Sequence, residues 1–278
     1  MLGAYPLINL NPLTENFKLD DNGVPVILHD NEWIYHPVFI ARYSLASLNG
    51  YLSYGKYRYK ESFINCLKWI TANYVKEGDL IKWFYNFDLK EYGVKAPWIS
   101  GMAQGQLVSV LLRAYFLLKN KEYLEIADSA INTMITPIEK GGTLSIDQYG
   151  VWIEEVPSKP PSHILNGFIF ALAGLYEYML VRGRKKKIFN ALINSLKRNI
   201  VYYDLNYWSL YDLYYYRPAS IKYHIIHVKQ LKWLYLITGY KEFKRVSEEV
   251  AELKSKIEKT KKELSEIINK LSELEKSL

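Results

Sequence analysis

"SHILNGFIFALAGLYEYML", residues 162–180, runs through a short basic turn into "KKKIFNALINSLKRNI", residues 185–200. The first segment is apolar nearly all round, as a helix with neighbours on every side must be. The second carries its apolar residues on one face, as a helix with one wet side does. Gly183 stands between them, where a helix ends in the left-handed conformation that glycine adopts without strain. The same alternation recurs three times: 37–54 with 57–76, 101–118 with 121–136, and 221–237 with 240 onward. The other turns are LSYGKYRYKESF (52–63), LLKNKEYLEIA (117–127) and LITGYKEFKRV (236–246), with Gly55, Asn120 and Gly239 at the capping positions. Inner and outer helices alternating at a period of roughly sixty residues predict an all-α fold, an α/α toroid or incomplete α/α barrel of about four helical hairpins.

Two segments lie outside this pattern. Residues 1–32 carry a DNG turn (Asp21–Gly23) between apolar runs, so an extended or β-hairpin arm is expected. Residues 246–278 repeat apolar residues at alternating steps of four and three: Val246, Val250, Leu253, Ile257, then Leu264, Ile267, Leu271, Leu274 and Leu278. That heptad favours a coiled coil and a homo-oligomer, a dimer first and a trimer second; the alternative is a long helix folded back on its own domain. The expected division is therefore an arm (1–32), a helical domain (33–245) and a coiled-coil helix (246–278).

The toroid sorts the loops. Turns within hairpins are short and share one end. The returns, 78–100, 138–162 and 202–220, are long and share the other, where function is expected. They hold Trp83, Tyr85, Trp98, Glu155 and Tyr211. "PWISGMAQGQ" (97–106) opens an inner helix at this end, and its geometry predicts Ser100 and Gln104 pointing into the mouth, with glycines permitting close approach.

Composition narrows the partner. The chain has 278 residues, 49% hydrophobic and 23% charged, enough for one large core. No apolar run reaches the ~20 residues that span a bilayer. The N-terminus MLGAYPLINLNPL shows no secretory pattern, and one cysteine, Cys66, makes no internal disulfide, so a cytoplasmic protein is expected. A formal charge of +7, with a cluster at Arg182–Lys187, attracts polyanions, either nucleic acid or acidic polysaccharide. The 25 tyrosines and 7 tryptophans suit a carbohydrate cleft, whereas charge alone speaks for nucleic acid, and none is expected.

Four blocks, "YHPVFIARYSL" (35–45), "PWISGMAQGQLVSVLLRAY" (97–115), "WIEEVPSKPPSHILNGFIFALAGLYEY" (152–178) and "LYDL" with "YHIIHVKQL" (210–231), resemble in that order the C-terminal domain of the D-glucuronyl C5-epimerase family. The resemblance covers about residues 33–240. It implies inversion at C5 of glucuronic acid units within an acidic polysaccharide, giving iduronic acid. That chemistry requires a base on one face of the sugar, an acid on the other, and neutralisation of the carboxylate that opposes carbanion formation. It needs no metal or organic cofactor. The resemblance implies Glu155, Tyr211 and Tyr223 as catalytic groups and Arg113 and Asn166 as polar groups at or bracing the sugar. Trp98 and Gln104 join them as candidate substrate contacts. His224 and His227, three apart on one helix face, read better as buried hydrogen-bonding groups near the sugar than as metal ligands, no third ligand standing at useful spacing. Family members carry tyrosine where Val156 stands and arginine where Tyr214 stands; Arg217, Lys222 or Lys229 are the cations that replace the lost one. A lyase or glycoside hydrolase on the same scaffold, or a non-catalytic glycan-binding module, are the alternatives.

Overall fold

The computed structural model describes residues 2–7 and 18–277, which form four helical hairpins preceded by a small antiparallel sheet. The hairpins are α1 (Pro37–Tyr54) with α2 (Tyr57–Ala72), α3 (Gly101–Leu118) with α4 (Glu122–Ile135), α5 (Leu165–Arg182) with α6 (Lys186–Asn199), and α7 (Ile221–Thr238) with α8 (Lys241–Ser277). Local chemistry sets their ends. Pro37 opens α1, where its missing N–H costs nothing, and Ser100 and Ser220 cap α3 and α7 by accepting from the N–H of Ala103 and Tyr223. Gly55, Gly183 and Gly239 close α1, α5 and α7 at positive φ. At the second junction the expected residue is displaced by one. Lys119 takes the left-handed conformation, and Asn120 instead accepts from the N–H of Glu122 at 2.9 Å, capping the next helix.

The first helices of the pairs pack against one another as an inner layer, but only α1, α3 and α5 are enclosed; α7 buries a single stripe, His224, His227, Gln230, Leu231 and Leu234. In α3 every residue from Gly101 to Ala114 is buried, and α5 is buried from Leu165 to Leu175. α2, α4 and α6 each bury one stripe, such as Phe189, Leu192, Ile193 and Leu196 of α6. Packing runs from α1 to α3, α3 to α5 and α5 to α7. The closest approach is between α3 and α5, where Gly105 and Gly174 meet. A methyl on Gly174 would strike the Gly105 backbone, and one on Gly105 would strike Ala171, so only glycine lets these backbones touch.

The chain is predominantly helical, but the expected all-α pattern misses its short strands. β1 (Lys18–Leu19), β2 (Pro25–His29) and β3 (Glu32–Tyr35) form one sheet, with the expected turn at Asp20–Gly23 and a strand running past residue 32. Residues 8–17 of the expected arm lie outside the described residues. Two of the long returns also hold strand pairs: β4 (Val75–Glu77) with β5 (Leu80–Lys82), β6 (Phe84–Tyr85) with β7 (Trp98–Ile99), and β8 (Leu144–Asp147) with β9 (Gly150–Ile153). Among the described residues no helix is long and apolar enough to cross a membrane.

α8 is one continuous helix. Phe243 and Val246 pack into the core, whereas Leu264, Ile267, Ile268 and Leu271 are each more than half exposed. The side chains of the heptad positions Val250, Leu253, Ile257 and Leu274, and all of Leu278, lie outside the described residues.

Candidate active site

The inner helices all begin at the end where the long returns gather, and a cavity of about 500 Å³ opens there. α1 supplies Phe39 and Arg42, α3 Met102, α5 Asn166 and Phe170, and α7 Lys222, Tyr223 and Lys229. The returns supply Tyr85 and Trp98, then Glu155 with Val156, then Tyr211.

Glu155 is the second residue after β9. Its Oε2 is buried and accepts no hydrogen bond, and it lies so close to α5 that a methyl at Gly167 would overlap it. Burial first, and then the charge of Glu154, push its carboxyl up to about 7. Tyr211 is set by its backbone, which donates to the Arg217 carbonyl at 2.7 Å and accepts from the N–H of Leu165 at 3.0 Å. Tyr223 stands in the first turn of α7, its ring centroid 4.7 Å from that of Tyr211. Burial and the neighbouring Glu155 raise both phenols above their ordinary range, and Arg42 partly opposes the rise at Tyr223. The cavity thus holds a carboxyl that titrates near neutrality and two phenols that keep their protons there. Lys222 and Lys229 stand exposed at its rim, and Arg42 is half-buried in its wall.

Of the remaining sequence candidates, Trp98 and Asn166 line this cavity. Trp98 stacks on Tyr85 with centroids 4.2 Å apart, and Asn166 leaves its buried Oδ1 unpartnered. Ser100 lines it too. Gln104 does not: it is fully buried, accepts from the N–H of Trp83 at 3.3 Å and donates to the Ile81 carbonyl at 2.7 Å, so it ties β5 to α3. Arg113 is also corrected. It lies just over three turns down α3, in a two-pronged bond to Glu177 at 2.7 Å each, with Nε donating to the Gly3 carbonyl and the guanidinium over the Tyr5 ring. It braces the N-terminal segment and lies away from the cavity.

Arg217 stands behind the cavity wall, engaged by Asp212 and Glu91 and packed over the Tyr211 ring. With two carboxylates on it, it is a brace for Tyr211. His224 and His227 likewise lie outside the cavity. Their Nδ1 atoms converge on Ser209 Oγ at 2.9 and 2.8 Å, and Trp208 stacks on His224 with centroids 3.8 Å apart. Burial lowers both, His227 to about 3, so they are neutral pins between the third return and α7.

Three features escaped the sequence. Arg42 was visible only as a cation in an otherwise apolar helix. His36, just before α1, lines the cavity with a buried, unpartnered Nδ1, and burial lowers it to about 4, leaving a neutral imidazole. The third is behind Glu155. Glu154 turns away from the cavity and is buried, accepting from Ser145 Oγ at 2.6 Å, Ser162 Oγ at 3.0 Å and the N–H of His163 at 2.8 Å. Adjacent glutamates ordinarily mark a wet loop; here each has its own buried environment.

Comparisons with known proteins point to one family. A family model described as the D-glucuronyl C5-epimerase C-terminus matches residues 76–252. An uncharacterized protein of Methanocaldococcus jannaschii is 32% identical over 165 residues, 57% of this chain and 53% of that one. A D-glucuronyl C5-epimerase of Caenorhabditis elegans is 27% identical over 244 residues, 79% of this chain and 38% of that one. The chain therefore spans about half the length of the first relative and well under half of the second. Among solved structures, the GH76A alpha-1,6-mannanase from Salegentibacter sp. superposes with a TM-score of 0.57 at 16% identity, covering 86% of this chain and 66% of that one. That likeness is one of fold alone. The family model spans well over half of the sequence, with the cavity's second and third returns and the inner helices α3, α5 and α7 inside it: the chain belongs to the D-glucuronyl C5-epimerase C-terminal family.

Proposed function

We propose that the chain inverts C5 of D-glucuronic acid units within a glycan, in the mouth of an incomplete α/α toroid. The observation that carries this reading is the meeting of Glu155, Tyr211 and Tyr223 in one cavity with cations in its wall and at its rim. The C5 proton is weakly acidic because it is α to the sugar carboxylate. Glu155, ionised at and above neutral pH, takes that proton, and the electron pair moves into the carboxylate. Arg42, Lys222 and Lys229 are the groups available to offset the charge that accumulates there. Tyr223, neutral, then forms the new C5–H bond from the opposite face by giving up its O–H proton, with Tyr211 hydrogen-bonded to the phenolate left behind. Water restores the phenol and clears the proton from Glu155. In the reverse direction the roles exchange. The stacked rings of Tyr85 and Trp98 form an aromatic wall against which the sugar can pack. No metal or cofactor enters any step.

Incubation with a glucuronate-containing polymer in deuterium oxide, read by NMR, tests this. Deuterium at C5 is the expected result, even at an equilibrium that hides net inversion. No exchange in an acidic polymer that binds would refute it, and an unsaturated product absorbing in the ultraviolet would assign elimination instead.

We also propose that the protein self-associates through residues 246–278. The support is the heptad and the exposure of Leu264, Ile267 and Leu271 on α8.

A further inference from the structure

Behind Glu155 lies a row of buried charges that the chemistry above does not use. His163 is almost wholly enclosed. Its Nε2 shares a hydrogen bond with Asp147 Oδ2 at 2.8 Å, and its Nδ1 lies 2.8 Å from Glu154 Oε1, a charge contact that is out of line for a hydrogen bond. A neutral imidazole can donate to Asp147 and offers Glu154 no charge, whereas an imidazolium donates to Asp147 and sets its positive charge against both carboxylates. A second set of bonds locks the ring in place. The N–H of His163 donates to Glu154 Oε2, its carbonyl accepts from Tyr203 Oη at 2.6 Å, and Trp152 and Tyr149 pack on the ring. To make them, His163 sits at φ +46, a left-handed conformation that is strained for a non-glycine residue. The loop from Glu154 to His163, with Pro157, Pro160 and Pro161 inside it, is thereby closed at its base by Glu154 gripping His163. Glu155 is the first residue inside the loop.

We propose that His163 is a positioning residue of this site: held as an imidazolium between Asp147 and Glu154, it offsets the charge of Glu154 and keeps that carboxylate turned from the cavity, and so sets how tightly Glu155 holds its proton. This deepens the epimerase reading and rests on it for its functional meaning, but its physical content stands without substrate. The charges in play are few. Facing His163 are Asp147 from β8, Glu154, and the phenols of Tyr149 and Tyr203; facing Glu155 are Glu154 and the phenols of Tyr85, Tyr211 and Tyr223, with Arg42 beyond Tyr223. Burial alone would drive His163 neutral and Glu154 protonated. The two carboxylates outweigh it at the histidine, and the bonds and charge of His163 outweigh it at Glu154. Without the imidazolium, the bonds from Ser145, Ser162 and the backbone N–H of residue 163 still hold Glu154 as a carboxylate, no cation among these neighbours offsets it, and its charge falls wholly on Glu155.

The test is NMR on the full chain. In the wild type the His163 ring is expected to stay doubly protonated above the ordinary histidine midpoint of about 6.5, and the Glu155 carboxyl carbon, assigned by its absence in E155Q, to titrate near 7. In H163Q the Glu155 midpoint is expected to rise by about one pH unit, a tenfold gain in proton affinity. D147N, altered at the outer and partly exposed end of the row, is the gentler variant, with a smaller rise in the same direction. The C5-exchange profile is expected to follow: H163Q slowed about tenfold at pH 6 and recovering toward the wild-type rate at pH 9. Loss of exchange by an equal factor at every pH would mark a merely structural residue. A His163 ring that loses a proton below pH 6.5, or a Glu155 midpoint unmoved in both variants, would overturn the proposal. A protein that exchanges no C5 deuterium at all would instead refute the epimerase reading, while the carboxyl titration still decides this one.

Discussion

Replacing Glu155 by glutamine is expected to stop C5 exchange and, above pH 7, to make the protein more stable. The magnitude follows from its surroundings. Burial and Glu154 lift its proton affinity from the ordinary 4.5 to about 7, at roughly 1.4 kcal/mol for each factor of ten, so ionising it in the folded chain costs about 3 kcal/mol. Because the side chain is only half-buried, solvent screening reduces this to ~2 kcal/mol, or roughly 4–8 °C in melting temperature for a chain of this size. The sign follows from linkage. Below pH 4.5 the carboxyl is protonated in both the folded and the unfolded chain, and no penalty exists. Between 4.5 and 7 the unfolded chain sheds the proton first, so stability falls steadily; above 7 both states are ionised and the full penalty stays. E155Q carries no such charge. Melting temperatures of the two proteins measured from pH 4 to 9 should therefore diverge between 4.5 and 7 and run parallel above. Any fixed packing cost of the amide displaces the whole curve without changing its shape. A difference that stays constant across the range would show that Glu155 is not a strained carboxyl, and its role as a near-neutral base would fall with it.

Tyr223→Phe should abolish C5 exchange while polymer binding, measured by calorimetry, and melting temperature stay near wild type, because the ring packing survives; exchange at the wild-type rate would remove Tyr223 from the chemistry. Arg113→Ala should cost about 3–5 kcal/mol in denaturant unfolding by stranding Glu177 in the core, yet the protein that remains folded should exchange C5 normally. A selective loss of exchange would return Arg113 to the site. A chain ending after Glu248 keeps the buried Phe243 and Val246 and should be monomeric by light scattering where the full chain is a dimer; equal masses would end the coiled-coil proposal.

The helical framework was legible because its signals are local. The bounds of α1 and α3 follow from Pro37, Gly55 and the capping Ser100, and need no distant partner. The strand pairs were not legible, because runs as short as Phe84–Tyr85 and Trp98–Ile99 acquire their meaning only from each other, across twelve intervening residues. The same limit sorted the site. Glu155, Tyr211, Tyr223 and Asn166 sit in the returns or near the starts of inner helices, and helix direction alone brings those together. Gln104 is one turn inside an inner helix at that same end, but its amide is taken by the backbone of Ile81 and Trp83. Arg113 is taken by Glu177, sixty-four residues away in sequence. A polar residue in an inner helix reads identically whether its partner is a sugar or a distant side chain. His163 was invisible for the opposite reason: its partners are close in sequence, but only the closed loop and a left-handed backbone turn its ring between them.

The contact between Gly105 and Gly174 has a consequence for sequence drift. One added carbon at either position must wedge α3 and α5 apart. Gly105 is one turn, about 6 Å, beyond Gly101 at the start of α3, and Gly174 is about 12 Å along α5 from Asn166. Both helices reach the cavity as rigid rods, so a shift at the crossing is carried to Asn166 and to the Gly167 seat that receives Glu155. A glycine-to-alanine exchange, among the mildest in the genetic repertoire, would thus misalign a carboxylate it never touches. Variation across such chains should accordingly be freest on the wet faces of α2, α4 and α6 and most restricted at two residues that carry no side chain at all.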